Sequence, residues 1–163
     1  MASENAETIT IALLADHEHL IPALGEIGWR EWGHPPEPTD LDWWIEVTAR
    51  EAGRDRLPIS WVAIDAAGEA VGRVGLGEFD IEERSDRSPW VLGMIVRPDR
   101  RGRGIGGQLM AELDREARSR GYTQAWVATG GRAIDFYRKC GWAVTETIAR
   151  PNSEVATILT KRL

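Results

Sequence analysis

Residues Arg97 to Leu109 read RPDRRGRGIGGQL, four glycines and four arginines around one short turn. That combination suits an anion. Glycines let consecutive backbone N–H groups point into one hollow, a helix that starts there adds the positive end of its dipole, and arginines add charge-assisted bonds to phosphate oxygens. Two phosphate-binding patterns fit on paper. Gly102, Gly104 and Gly107 satisfy the G-x-G-x-x-G of dinucleotide sites. Gly102 and Gly107 also have the spacing of the nucleoside triphosphate loop, but Gln108 and Leu109 stand where that loop needs Lys and Ser or Thr, which excludes it.

The elements around the turn decide between the remaining options. Thr8 to Leu13 reads as a strand and His17 to Trp32 as a helical segment interrupted by Pro22, Gly25 and Gly28, with HPPEP (His34 to Pro38) breaking it. Thr39 or Asp40 caps a second helix that carries Trp43, Trp44 and Val47 and ends near Gly53. Ile59 to Asp65 and Ala70 to Gly77 form a hairpin, Phe79 to Ser88 is a charged loop, and Trp90 to Val96 is an apolar strand. After the glycine turn, Ile105, Leu109, Leu113 and Ala117 recur every four residues on one helix face, closed by Gly121. Thr123 to Thr129 is a strand, Arg132 to Cys140 a short helix, and about Ala143 to Ala149 and Glu154 to Thr160 two final strands. A dinucleotide fold needs its glycines directly after an early strand, further strand-helix units behind them, and an acid at the end of the next strand. Here Arg97 to Arg101 intervene, and the next strand ends in Thr129 and Gly130. The dinucleotide reading is disfavoured.

The totals narrow the partners. A chain of 163 residues with 20 basic and 26 acidic side chains is expected to form a single domain, and its net charge of −6 argues against nucleic acid or an anionic membrane as a general partner. The arginine turn is therefore a local positive patch on an acidic protein. Cys140, the only cysteine, has no internal disulfide partner, no Cys and His cluster has metal spacing, and no apolar run approaches the ~20 residues that span a bilayer. MASENAET lacks the features of a secretion signal, so a cytoplasmic protein without a metal is expected.

VRPDRRGRGIGGQLM resembles the acyl-CoA pyrophosphate loop of the GNAT superfamily of N-acetyltransferases: Arg101, Gly104 and Gly106 occupy its Gln/Arg, Gly and Gly/Ala places. AIDFYRKCGW (Ala133 to Trp142) is similar to the helix and turn that carry the tyrosine beside the thioester sulfur, here Tyr137. The order of elements matches along essentially the whole chain. The resemblance implies an α/β (α+β) fold, a mixed and mostly antiparallel sheet of about seven strands flanked by about four helices. It implies acetyl-CoA as co-substrate, held by Arg101, Gly102, Arg103, Gly104, Ile105 and Gly106, with the pantetheine arm along the Met94, Ile95 and Val96 backbone. A backbone N–H near Met94 would polarise the thioester carbonyl.

The acceptor implied is a primary amine of a small molecule or peptide, attacking directly. An amine of pKa about 10.4 costs on the order of 4 to 5 kcal/mol to deprotonate at neutral pH, so a base is useful. Many family members place a glutamate on the fourth strand, whereas SPWVLGMIV has no carboxylate. Glu78 is the candidate base with Asp80 beside it, and Glu26 and Glu31 stand behind them. Gly130 stands where many relatives have an asparagine that contacts the pantetheine arm. These two departures keep open a non-catalytic acyl-CoA sensor on the same fold. Trp29, Trp32, Trp43 and Trp44 fall on the helices that wall the acceptor site in this family, and exposed strands in the tail allow a homodimer. Cys140 reads as packing at a helix end.

Overall fold

The computed structural model describes residues 7–151 and 154–163. Strands β1 (Thr10–Leu13), β2 (Ile59–Ile64), β3 (Ala70–Gly77), β4 (Trp90–Val96), β5 (Gln124–Thr129), β6 (Ala143–Ala149) and β7 (Val155–Arg162) form one sheet in the order β1-β2-β3-β4-β5-β7-β6. All neighbours are antiparallel except β4 and β5. Four α-helices accompany them: α1 (Ile21–Trp32), α2 (Leu41–Arg50), α3 (Ile105–Ser119) and α4 (Ala133–Lys139). The expected mixed, mostly antiparallel sheet with four helices is the architecture observed.

The two faces of the sheet are covered by different helices. Ile105, Leu109, Leu113 and Ala117, the four-residue repeat of α3, are all buried and pack with Trp61, Val74 and Val127. Removing a leucine or isoleucine side chain from water is worth about 2 kcal/mol, so this stripe anchors α3 and holds the glycine turn at its head. On the opposite face Leu24 and Ile27 of α1 pack with Val62 and Ile95.

The N-terminal segment differs from the sequence reading. Two single 3-10 turns, Leu14–Asp16 and Glu18–Leu20, precede α1, and Pro22 falls in its first turn, where the missing N–H leaves no helical bond unmade. Pro22 therefore starts the helix instead of interrupting it. Gly25 marks the crossing of α1 and α2, since a Cβ there would lie 2.7 Å from Ile45 Cα. Asp40 caps α2 by accepting from the Asp42 N–H at 3.1 Å, and α2 ends at Arg50, short of Gly53.

Two irregularities shape the middle of the sheet. β4 and β5 run parallel and share one register pair, Trp90 with Trp126. In the ladder of β3 and β4, Arg73 faces Ile95 while Gly75 faces Leu92, so Gly93 and Met94 together oppose Val74. This is a β-bulge, with Gly93 at φ +52°, and such bulges bend a strand and re-aim its backbone groups.

The closeness of α1 and α2 has a measurable consequence. Gly25→Val places side-chain atoms against the Ile45 backbone and is expected to cost about 2 kcal/mol or more of stability by overpacking, read as a lower urea midpoint at unchanged slope. An unchanged midpoint would show that the crossing can relax.

Candidate active site

A cleft of about 1410 Å³ opens where β4 and β5 part. Met94, Ile95 and Val96 line one wall, and Val127 to Gly130 line the other. The glycine turn also lines it, as do α1 and α2 through Trp32, Trp44 and Thr48. Of the residues singled out in the sequence, Met94, Ile95, Val96, Arg101, Gly102, Gly104, Ile105, Gly106 and Tyr137 line this one space, while Arg103 and Glu78 are not among its lining residues. Trp29 and Trp43 are also outside the lining; their neighbours Trp32 and Trp44 are in it, with ring centroids 5.9 Å apart.

The turn owes its glycines to two separate causes. At Gly102 and Gly104, with φ of +77° and +83°, a Cβ would meet nothing within 4 Å; glycine serves there because the backbone is left-handed. Gly106 is different, since a Cβ would lie 2.8 Å from the Phe136 ring and 3.1 Å from Met94 Cε. It lets α3, α4 and β4 meet at the cleft. Gly104 precedes α3 without any side-chain cap, so the N–H groups at the start of α3 have no acceptor from the helix itself.

Each arginine of the turn has acidic company. The Arg101 Nε donates to the Val96 carbonyl at 2.9 Å, and its Nη2 meets Glu31 of α1 at 3.1 Å. Arg100 pairs with Asp65 at 3.0 Å and with Glu7, and Arg103 pairs with Glu7 at 3.2 Å.

Tyr137 of α4 is 4% exposed, with the rings of Phe136 and Trp142 at 5.2 and 5.9 Å. Burial pushes its phenol well above the usual tyrosine range, with the Cys140 thiol and the Asp80 carboxyl adding to the shift. It therefore stays protonated at neutral pH, with a hydrogen available to donate. Burial also raises the Cys140 thiol, which disfavours a thiolate nucleophile there.

Asp80 follows β3, half-buried on the cleft wall. Burial pushes its carboxyl up to about 6; the Arg150 charge lowers it and the Glu51 charge raises it. Glu78, two residues earlier, is exposed. Glu26 is paired with Arg30 at 2.9 Å, outside the cleft lining. Arg73 of β3 is buried: its Nε donates to the Gly93 carbonyl at 3.3 Å, its Nη2 is paired with Glu51, and a Cβ at Gly93 would collide with the guanidinium. The strand that lacks the glutamate thus makes room for an arginine.

Arg73 and Arg150 are cleft residues that the sequence reading did not single out. Arg73 carried a signal, being the only charge within the apolar run AVGRVGLG. Arg150 carried none, since it reaches the cleft only because β6 lies beyond β7 in the sheet.

The family model described as acetyltransferase (GNAT) domain matches residues 58–144, which include β4, the glycine turn and α4. This chain belongs to the GNAT acetyltransferase family. L-methionine sulfoximine/L-methionine sulfone acetyltransferases of Pseudomonas paraeruginosa and Pseudomonas aeruginosa are each 32% identical to it over 120 residues, 72% of this chain. The matched region spans 65% of the length of these relatives. Among solved structures, an aminoglycoside 6'-N-acetyltransferase complexed with coenzyme A superposes with a TM-score of 0.74 at 17% identity, covering 94% of this chain and 96% of that one. The PaiA N-acetyltransferase of Thermoplasma acidophilum, in complex with coenzyme A, gives 0.70 at 18% identity, covering 96% and 99%. These two likenesses show the fold.

If the turn holds a diphosphate, Glu31 competes with it for Arg101. Exposed ion pairs are worth about 0.2–1 kcal/mol, so Glu31→Gln is expected to tighten coenzyme A about 2-fold to 5-fold by calorimetric titration, while Arg101→Gln weakens it. Weaker binding by Glu31→Gln would make the pair a support for the turn.

Proposed function

We propose that this protein is an acetyl-CoA-dependent N-acetyltransferase that moves an acetyl group to a primary amine of a small molecule by direct attack. The observation that carries this reading is the convergence of four groups on one cleft: a glycine turn at a helix head, the parted edge of β4, a buried phenol and a half-buried carboxyl. The turn from Arg101 to Gly107 suits the diphosphate, and the Met94 to Val96 backbone suits the pantetheine arm. Acetyl-CoA supplies an acyl group activated as a thioester. The residues fit such a ligand, because its long arm needs a strand edge with free backbone groups and its anionic end needs unpaired N–H groups.

The roles divide by position. Asp80 takes the proton that the attacking amine loses as the C–N bond forms. Raising that carboxyl from 3.8 to about 6 reduces the cost of the transfer by about 3 kcal/mol. Tyr137 donates a hydrogen bond to the sulfur as the C–S bond breaks; its raised pKa favours donation over release of the proton. Asp80 replaces Glu78 as our candidate base, because Glu78 is exposed and outside the cleft lining. It also removes the main reason for reading the chain as a non-catalytic sensor, since a carboxyl reaches the site from the end of β3 and β4 need not supply one.

The acceptor is proposed as a small molecule on the strength of the relatives, whose names specify methionine sulfoximine, methionine sulfone and aminoglycosides. A peptide amine is the other acceptor to include in a panel. No helix among the described residues is long and apolar enough to cross a membrane. We propose a cytoplasmic setting, and a homodimer formed through the tail strands.

Thiol release from acetyl-CoA against a panel of amines tests the reaction. With a responsive amine, kcat/KM is expected to rise as pH increases through about 6, where Asp80 becomes the charged base facing Arg150 and Glu51. Asp80→Asn is expected to lose that limb and about 100-fold in rate. Tyr137→Phe is expected to lose about 10-fold to 100-fold in kcat, the worth of a hydrogen bond to a charged atom. Wild-type profiles in both variants would remove both residues from the mechanism.

A further inference from the structure

Two core-facing positions near α4 carry charges where the surrounding pattern is apolar. On β7, Leu159 and Lys161 stand opposite Val127 and Ala125 of β5, so all four share one face of the sheet, and the other three are buried hydrophobics of the core under α3. On α3, Asp114 is the only charged residue among the seven buried ones. The Lys161 ammonium pairs with the Asp114 carboxylate, with side chains 20% and 8% exposed, and also donates to the Cys140 carbonyl at 2.9 Å. Cys140 caps the C-terminal end of α4, three residues after Tyr137. One ammonium thus ties together β7, the helix behind the glycine turn and the helix that carries the buried phenol.

Stability does not account for this pair. Taking both charges out of water costs about what their attraction returns, and apolar residues of similar size commonly serve as well. The pair is also incomplete, since Asp114 Oδ1 is buried and has no hydrogen-bond partner among the described residues. What the charges add over apolar packing is direction. α4 has seven residues, too few to hold a helix by its own hydrogen bonds, so its placement depends on what surrounds it. The Phe136 ring packs over Gly106 at the head of α3, a contact without directional bonds. One turn later the Lys161 ammonium holds the Cys140 carbonyl and complements the negative end of the helix. The Tyr137 carbonyl lies inside the same cap, accepting from the Cys140 and Trp142 N–H groups, each at 3.0 Å. We propose that Lys161, oriented by Asp114, is a positioning residue for Tyr137: it fixes the end of α4 and so the place of the phenol in the cleft. This rests on the acetyltransferase reading and adds to it two residues that do not line the cleft.

The test replaces the pair in the full chain by apolar residues of similar size, Asp114→Leu together with Lys161→Met. This double variant is expected to keep the wild-type urea midpoint or exceed it, to keep KM for acetyl-CoA, and to lose about 5-fold to 20-fold in kcat, part of the hydrogen bond that Tyr137 supplies. In a Tyr137→Phe background the same double change is expected to cost about 2-fold or less, because the two losses act through one group. Lys161→Arg, which keeps the charge and the donors, is expected to retain most of kcat. Unchanged kcat in the double variant, or an equal loss with and without the phenol, would overturn the proposal. A double variant that fails to fold would make the pair a stability element and overturn it too. A second readout needs no turnover. Tyr122 and Tyr137 are the only tyrosines, so 3-fluorotyrosine gives two fluorine signals, told apart by Tyr122→Phe. Coenzyme A is expected to shift the Tyr137 signal in the wild type, and to bind the double variant with like affinity while leaving that signal in place. The same shift in both proteins, or none in either, would overturn the proposal. A shift that depends on the pair, without turnover of any amine, would uphold the positioning and sink the transferase. Turnover with a rate and a shift independent of the pair would do the reverse.

Discussion

Everything that gives this protein a site follows from the failure of β4 and β5 to stay together. They are the one parallel pair in the sheet, and they are paired at Trp90 and Trp126 alone. Those two residues hold the strands at one end, with indole centroids 6.5 Å apart and Trp90 fully buried. From there the edges diverge, and backbone groups that a closed sheet would satisfy internally are left for a ligand or water. The bulge at Gly93 and Met94 belongs to the same departure, because it turns β4 away from regular pairing at residues that line the cleft. The price is a sheet weakened at its centre, and α3 and α1 offset it by packing on opposite faces of β2 to β4.

Electrostatics then divides the cleft in two. At the cofactor end, backbone N–H groups at the head of α3 supply polarity that cannot be titrated away, and the arginines around them are each met by acids. At the acceptor end the charges are fewer and better buried. The Arg73 and Glu51 pair costs desolvation and gains little net stability, so its value lies in filling the space over Gly93 with a fixed guanidinium. Asp80 feels that arrangement through Glu51, whose charge adds to burial in raising the carboxyl to about 6.

The glycine turn was legible in the sequence, and the rest of the cleft was much less so, for a physical reason. The glycine turn is made of adjacent residues, and the helix behind it announces itself by a four-residue apolar repeat, so both are local signals. Even there the structure adds what the pattern does not say: at Gly102 and Gly104 a Cβ would meet nothing within 4 Å, and glycine serves a left-handed backbone. The rest of the cleft is assembled from α1, α2, the segment after β3 and the end of β6, which meet only in the folded chain. Choosing between Glu78 and Asp80 needed the direction in which the chain leaves β3, and no pattern of residue types encodes that. Arg150 depended on strand order, since β7 inserts between β5 and β6 and carries the β6 terminus to the cleft. The 3-10 turns before α1 were missed because two short turns and a helix share the same local propensities.

The two halves meet mechanically in α1. Glu31 lies near its C-terminal end and reaches Arg101 of the cofactor turn, while Trp32, the next residue, faces the cleft beside Trp44 of α2. An anion arriving at Arg101 competes with Glu31 for its guanidinium, and that carboxylate belongs to the helix that carries Trp32. Gly25 sets the close crossing of α1 and α2, since a Cβ there would lie 2.7 Å from Ile45 Cα. A change at the pair of Arg101 and Glu31 is therefore felt by the same helix that carries Trp32 to the cleft.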